Sequence, residues 1–323
     1  VHSTTRGPAL GGCRLWYYDD ARGAVRDALR LSRAMTFKSA VAGLPLGGGK
    51  GVIMAPNPAA PVRRGRRADA LRDFGDTVAD LDGAYITAED VGTSSRDMEV
   101  IASSTAHVTG LSRRRGGSGD PSPWTALGVE AAIGVCCEHV FGSPSLEGRT
   151  IAIAGLGHVG ARVAAACAKG GAELVVTDID PGKRDLAAGL GARWIQPTAA
   201  LDAAVDVLVP CALGGLLDHD TVLHVQAPIV AGAANNQLAN DDVAQFLAER
   251  GVLWAPDFVV NAGGIINISV ELEPSGYDPR SARGRVLGIA DTLRRIFDDA
   301  TARDTTPLAA AMALARERLA EAA

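Results

Sequence analysis

The stretch that most restricts this chain is Thr150-Ile151-Ala152-Ile153-Ala154, an apolar run passing directly into Gly155-Leu156-Gly157-His158-Val159-Gly160 and then into Ala161-Arg162-Val163-Ala164-Ala165-Ala166. The first part suits a buried strand and the last a helix, so the glycines must make the turn between them. Gly155 permits a tight turn, Gly157 lets backbone come close to a pyrophosphate, and Gly160 lets helix and strand pack together. The helix N-terminus offers free N–H groups and a positive dipole end to phosphate. A second apolar segment ends at Asp178, whose carboxylate is placed to accept hydrogen bonds from an adenosine ribose and to repel a 2′-phosphate. Further strand candidates at 174–177, 205–209, 229–231 and 252–254 alternate with helical segments, the pattern of a parallel sheet wound on both faces. The spacing therefore predicts a dinucleotide site that prefers NAD. Lys183 and Arg184, close behind Asp178, keep NADP as the minority reading.

The residues before this region are organised differently. Cys13 to Tyr18 alternates as a strand does. Asp19 or Asp20 is placed to cap a helix whose apolar face would be Val25, Ala28, Leu29, Leu31, Ala34 and Met35. The run Gly43-Leu44-Pro45-Leu46-Gly47-Gly48-Gly49-Lys50 must be a turn or a close backbone approach. Residues 52–54 read as a short strand and 66–81 as an amphipathic helix. The chain breakers from Gly116 to Pro123 mark a boundary, with Ser122 and Pro123 opening a helix to about residue 140.

Composition narrows the function. Net charge is −5, which argues against a nucleic-acid or anionic-membrane surface. No apolar run reaches the roughly 20 residues of a spanning helix, and residues 1–4 show no export signal. Five cysteines without Cys-x-x-Cys spacing argue against a disulfide framework or a zinc site and for a reducing cytoplasm, with no metal expected. Of 32 basic residues only four are lysine: Lys38, Lys50, Lys169 and Lys183. Arginine stays protonated, whereas a desolvated lysine can lose its proton near neutrality, so lysines beside a glycine run draw attention.

Three N-terminal segments carry chemical groups: Gly7 to Gly12, Met35 to Lys50, and Thr87-Ala88-Glu89-Asp90-Val91-Gly92-Thr93. Read alone, Lys38 and Lys50 favour an anion-binding loop over catalysis. Asp90 suits an ion pair or a helix cap as well as proton transfer, Glu89 reads as structural, and Asn261 before two glycines suits a turn.

The segments GPALGG (7–12), MTFK (35–38), GLPLGGGK (43–50), ITAEDVGT (86–93), GDPSPWTALGV (119–129), the glycine fingerprint (155–160) and NAGGIIN (261–267) run in one order over almost the whole chain. In them the chain resembles the glutamate/leucine/phenylalanine/valine dehydrogenase superfamily, above all its branched-chain and phenylalanine members. The resemblance implies an α/β fold of two domains with a cleft between them: an N-terminal α/β substrate domain over 1–122 and a Rossmann NAD-binding domain over 123–289. A C-terminal helical segment, 290–323, is expected to pack back on the substrate domain. It implies Lys50 as a neutral general base, with a second ammonium nearby helping to lower its pKa. Lys38 would hold the substrate α-carboxylate, and Asp90 would exchange protons with the substrate amine and departing ammonia. Gly11 and Gly12 would line the substrate cleft with backbone groups, and Asn261 would hydrogen-bond the substrate. Around the cofactor the expected residues are Gly155, Gly157, His158, Val159, Gly160, Asp178, Asn235 and Asn261.

The implied activity is NAD-dependent, reversible oxidative deamination of an L-amino acid to its 2-oxo acid and ammonia, in a homo-oligomer. Glutamate-specific members of the family carry a lysine where this chain has Leu10, and Ala88, Ile265 and Ile268 match further pocket positions. A substrate carboxylate buried on such apolar surface would lack a partner, so leucine, valine and isoleucine are favoured. Phenylalanine is the alternative side chain. The resemblance starts at residue 1, whereas members of the family carry a helix and strand ahead of that point. A nucleotide-binding homologue impaired by lacking them is therefore a further alternative. A 2-hydroxy acid dehydrogenase would want a His–carboxylate pair that the six histidines do not offer.

Overall fold

A nine-residue strand, β1 (Ala9–Tyr17), organises the N-terminal part of the chain. The computed structural model describes residues 1–55, 64–212 and 214–322. After β1 come α1 (Ala21–Val41), β2 (Gly47–Gly48), β3 (Gly51–Ala55), α2 (Arg64–Asp80), β4 (Tyr85–Glu89) and α3 (Ser95–Ile101). β2, β3 and β4 all pair with β1 in parallel. β2 and β3 follow one register along one edge of β1, Ala9 opposite Gly47 and Cys13 opposite Gly51, so Gly49 and Lys50 interrupt a single line of pairing. Because side chains alternate across a strand, one face of the sheet carries Ala9, Cys13, Tyr85 and Ile53 and packs on Leu71, Phe74 and Val78 of α2 and on Met98 and Ile101 of α3. Leu10, Gly12 and Arg14 point the other way.

Asp20 caps α1 as expected, its side chain accepting from the Gly23 N–H at 2.7 Å. The apolar face expected for α1 is corrected: Val25 and Leu29 are exposed, and the helix buries Ala24, Leu31, Ser32, Thr36, Ser39, Ala40 and Val41. The physical reason is close approach. A Cβ on Gly48 would sit 2.1 Å from the Thr36 nitrogen, so α1 packs its small side chains where a leucine would not fit.

The second sheet has the order β10–β9–β8–β5–β6–β7, parallel throughout. Its elements run α4 (Ser122–Phe141), β5 (Thr150–Ala154), α5 (Gly160–Lys169), β6 (Glu173–Thr177), α6 (Arg184–Gly189), β7 (Arg193–Trp194), β8 (Val207–Pro210), β9 (Ile229–Val230), α7 (Val243–Glu249), β10 (Leu253–Trp254) and α8 (Asp257–Val260). Its core includes Ala152, Val175, Leu208, Val230, Leu247 and Trp254. The order is that of the doubly wound dinucleotide fold, and strand order reverses between β5 and β8, where such folds bind ligands. The two-residue β7 adds an edge strand that the hydropathy pattern did not mark.

The remaining helices are α9 (Gly263–Ser269), α10 (Pro279–Leu287), α11 (Ile289–Ala302) and α12 (Pro307–Ala320). They divide between two compact units otherwise than the sequence boundaries suggest. One unit comprises 1–121, 265–282 and 314–323; the other comprises 122–264 and 283–313. Contacts explain the difference. The Glu271 carboxylate accepts the N–H groups of Gly110 (3.1 Å) and Ser118 (2.8 Å), which ties 265–282 to the first sheet's loops. α11 instead lies against α4, with Arg294 bonded to Glu138 at 3.0 Å and Phe297 beside His139. Arg318 donates to the Ala40 and Val41 carbonyls at the C-terminal end of α1, and Arg6 donates to the Arg318 carbonyl. Among the described residues, no helix is long and apolar enough to cross a membrane.

Candidate active site

The face of the first sheet that is turned away from α2 and α3 gathers the chemical groups. Gly12 pairs with Ala88, and continuing the register sets Lys50 opposite Gly12 and Asp90 just past the end of β4. Gly12 is required there: a Cβ would lie 2.6 Å from the Asp90 Cβ and 2.8 Å from the Glu89 carbonyl oxygen. Gly11 is required too, since its Cβ would meet the Gly49 carbonyl oxygen at 1.7 Å. The Gly11 carbonyl accepts the Tyr85 hydroxyl at 2.7 Å. Both glycines thus let the strands close up around the site.

Lys50 Nζ lies 2.6 Å from Asp90 Oδ2, with the lysine side chain 5% exposed and the aspartate side chain 23% exposed. Burial pushes the Lys50 amine below its usual range, Asp90 opposes that, and the Arg14 guanidinium reinforces it. Arg14 is thus a cation beside Lys50 that the sequence reading did not name. Burial alone would raise Asp90, but the Lys50 and Arg14 charges hold it below the ordinary carboxylate value. Arg14 Nε donates to the same Oδ2 at 3.1 Å, which leaves Oδ1 with no hydrogen-bond partner among the described residues. An acceptor in that position suits an ammonium or amine proton. The Asp90 backbone is fixed by Thr93, whose hydroxyl accepts the Asp90 N–H at 2.9 Å and lies 2.8 Å from the Cys13 carbonyl.

Arg14 and Thr93 were missed by the sequence reading, although both lie within or beside the quoted motifs. Glu89, read as structural, is pushed up to about 7, first by burial and then by the charge of Asp120. Lys38 sits partly buried on α1, two residues beyond Thr36, which packs against Gly48. The four apolar candidates are all buried: Leu10 (1%) on β1, Ala88 (5%) on β4, and Ile265 (8%) and Ile268 (7%) on α9.

In the second unit the fingerprint forms the turn between β5 and α5. Gly155 has φ +106°, and Gly160 is needed because its Cβ would lie 1.9 Å from the Gly155 carbonyl oxygen. Gly157 differs: a Cβ there would meet nothing within 4 Å. Packing within the chain does not call for glycine at 157, whereas a phosphate lying on the backbone does. No side chain caps the α5 N-terminus at Val159. Asp178 stands at the carboxyl end of β6, its Oδ2 accepting the Leu156 N–H at 2.6 Å and its Oδ1 the Asp180 N–H at 2.8 Å. His158 is exposed within the turn. Asn261 Nδ2 donates to Asn235 Oδ1 at 2.9 Å and to the Ala233 carbonyl at 3.0 Å, so the two expected asparagines are brought together. The Asn261 Oδ1 is buried with no partner among the described residues, an acceptor that a bound amide or hydroxyl donor could satisfy. The residues fit a dinucleotide.

Comparison with known proteins agrees with this arrangement. Residues 1–107 match the Glu/Leu/Phe/Val dehydrogenase dimerisation domain, and 183–323 match the Glutamate/Leucine/Phenylalanine/Valine dehydrogenase family. The chain is 42% identical to a leucine dehydrogenase of Thermoactinomyces intermedius, over 99% of this chain and 86% of that protein. It is 42% identical to a valine dehydrogenase of Streptomyces coelicolor, over 100% and 88%. The crystal structure of L-tryptophan dehydrogenase from Nostoc punctiforme superposes with a TM-score of 0.85 at 40% identity, covering 100% of this chain and 91% of that one. That of the hetero-hexameric glutamate dehydrogenase from Thermus thermophilus, in a Leu-bound form, gives 0.83 at 28%, covering 100% and 83%. With motif order, sheet topology and full-length likeness in accord, the chain belongs to the glutamate/leucine/phenylalanine/valine dehydrogenase family.

Proposed function

We propose that this protein is an NAD-dependent L-amino acid dehydrogenase acting on leucine, valine and isoleucine. The overall reaction converts the amino acid, NAD⁺ and water into the 2-oxo acid, ammonium, NADH and a proton. The observation that carries the reading is the Lys50 amine, buried and 2.6 Å from Asp90. A buried amine with a lowered pKa can be neutral at working pH and take a proton from the water that attacks the imino carbon. Asp90, with Oδ1 open, exchanges protons with the substrate nitrogen as it leaves. Lys38 supplies the fixed positive charge for the substrate α-carboxylate, and backbone at Gly11 and Gly12 lets the substrate approach the sheet. NAD, which the Gly155–Gly160 turn and Asp178 would hold, would supply the hydride acceptor for the substrate α-carbon.

Leucine-, valine- and tryptophan-named relatives are about equally similar overall, so the choice of side chain rests on the pocket. Leu10, Ala88, Ile265 and Ile268 offer only apolar surface, and a substrate γ-carboxylate placed against them would lack a counter-charge. Asp178 supports NAD over NADP, because a 2′-phosphate beside this carboxylate meets like charge. Five free cysteines support a reducing compartment such as the cytoplasm. The hetero-hexameric relative supports an oligomer.

A spectrophotometric screen of NAD reduction against the twenty amino acids, with Lys50→Ala as control, tests the reading. Reduction with leucine, valine and isoleucine, lost by at least about a thousandfold in the variant, is the expected result. Preference for glutamate would overturn the pocket assignment. NAD binding without turnover of any amino acid would overturn the activity.

A further inference from the structure

Beyond Asp90, the charged chain continues through residues that have no part in the chemistry above. Arg14 on β1 spreads its guanidinium between two carboxylates, Nε to Asp90 Oδ2 at 3.1 Å and Nη1 to Asp27 Oδ2 at 2.9 Å. Asp27, on α1, is held in turn by the Tyr18 hydroxyl (2.6 Å) and by Arg30 (2.9 Å to Oδ1). A planar guanidinium bound at both ends cannot swing away from the site, as a lysine there could.

We propose that Arg14, clamped by Asp27, is a positioning residue that holds Asp90 against Lys50 and, through its fixed positive charge, sets the pH at which the Lys50 amine becomes a base. The inference rests on the reading of Lys50 as the general base. Arg14 acts in two ways. It shares Oδ2 of Asp90, so the carboxylate is never left to Lys50 alone. Its charge also disfavours a second cation nearby, while Asp27, of opposite sign, favours one. The other titratable groups around Lys50 and Asp90 are the Cys13 thiol on β1, pushed up to about 12 by burial, and the buried Tyr85 phenol on β4, raised by burial as well. Neither carries charge near neutrality, and Glu89, pushed up to about 7, lies on the other face of β4, so Arg14 and Asp27 are the levers on Lys50. They push in opposite directions, which a purely structural staple would not do.

The test uses NMR of the full-length protein labelled with 13C in lysine. Only four lysines are present, and Lys50 is assigned by its absence from the Lys50→Arg variant. Its titration is followed in wild type, Arg14→Gln, Arg14→Lys and Asp27→Asn, beside the pH profile of kcat/KM for leucine oxidation. Arg14→Gln should move the Lys50 titration and the rising limb of kcat/KM to higher pH, with roughly a tenfold loss of kcat/KM at neutral pH. Asp27→Asn should move both to lower pH, and Arg14→Lys should leave the titration close to wild type. If Arg14→Gln does not fold, a downward shift in Asp27→Asn beside an unmoved titration in Arg14→Lys carries the test. A Lys50 titration that stays put in every variant, or moves the same way in Arg14→Gln and Asp27→Asn, overturns the inference. A titration that moves as stated while kcat/KM does not follow upholds the positioning role and overturns Lys50 as the base.

Discussion

Two neighbouring carboxylates, Glu89 and Asp90, are driven in opposite directions by their surroundings. Asp90 faces the Lys50 and Arg14 charges, while Glu89, on the alternate face of β4, is half-buried with Asp120, Asp97 and Glu271 around it. The Glu89 carboxyl has a folded value of about 7, above the roughly 4.3 of an unfolded chain. Stability from a group raised in this way is fully present below the unfolded value and is lost as pH climbs through the folded one. Glu89→Gln should therefore raise the thermal midpoint at pH 8, with the difference from wild type vanishing by pH 4. Equal midpoint changes at both pH values would refute the burial argument. Lys50 and Asp90 were each legible as site candidates through motif and resemblance, though not their ion pair. Their connection to Arg14, Asp27 and Tyr18 was not, because an ion pair between residues 14 and 90 leaves no trace in local pattern. Arginine so close to a glycine loop was a signal of the kind the scarce lysines were, but in an arginine-rich chain it did not stand out.

Among the elements, the turn from β5 to α5 was the most legible, since hydropathy, glycine spacing and helix propensity agree there. Its three glycines nonetheless serve different ends. Gly160→Ala places a Cβ against the Gly155 carbonyl and should lower stability by about 1–3 kcal/mol, read from denaturant midpoints. Gly157→Ala meets no protein atom and should leave the midpoint near wild type while weakening NADH at least tenfold in a fluorescence titration. Unchanged NADH affinity in Gly157→Ala would show that the phosphate does not lie on that backbone. α1 was legible in its cap but not in its buried face. Hydropathy favours Val25 and Leu29, yet the helix approaches Gly48 so closely that serine, threonine and alanine fit and leucine does not. Steric fit against a strand that the periodicity cannot see decided the matter.

For the whole molecule, motif order conveyed two α/β units, but their borders were misjudged. Hydropathy reports that the segment from about residue 287 is helical without reporting what each helix packs on, and Glu271 and Arg294 show packing through contacts far away in sequence. Light scattering after size exclusion should give a mass that is a multiple of the 33.2 kDa chain, and a purely monomeric species would count against the assembly proposed above. The reach of Arg318 back to the carbonyls of Ala40 and Val41 also has a bearing on biosynthesis. During translation α1 emerges well before Arg318, the partner that caps its C-terminal end from 277 residues further along the chain. The unit begun first is thus completed late, after a wait in which chaperones would find it open.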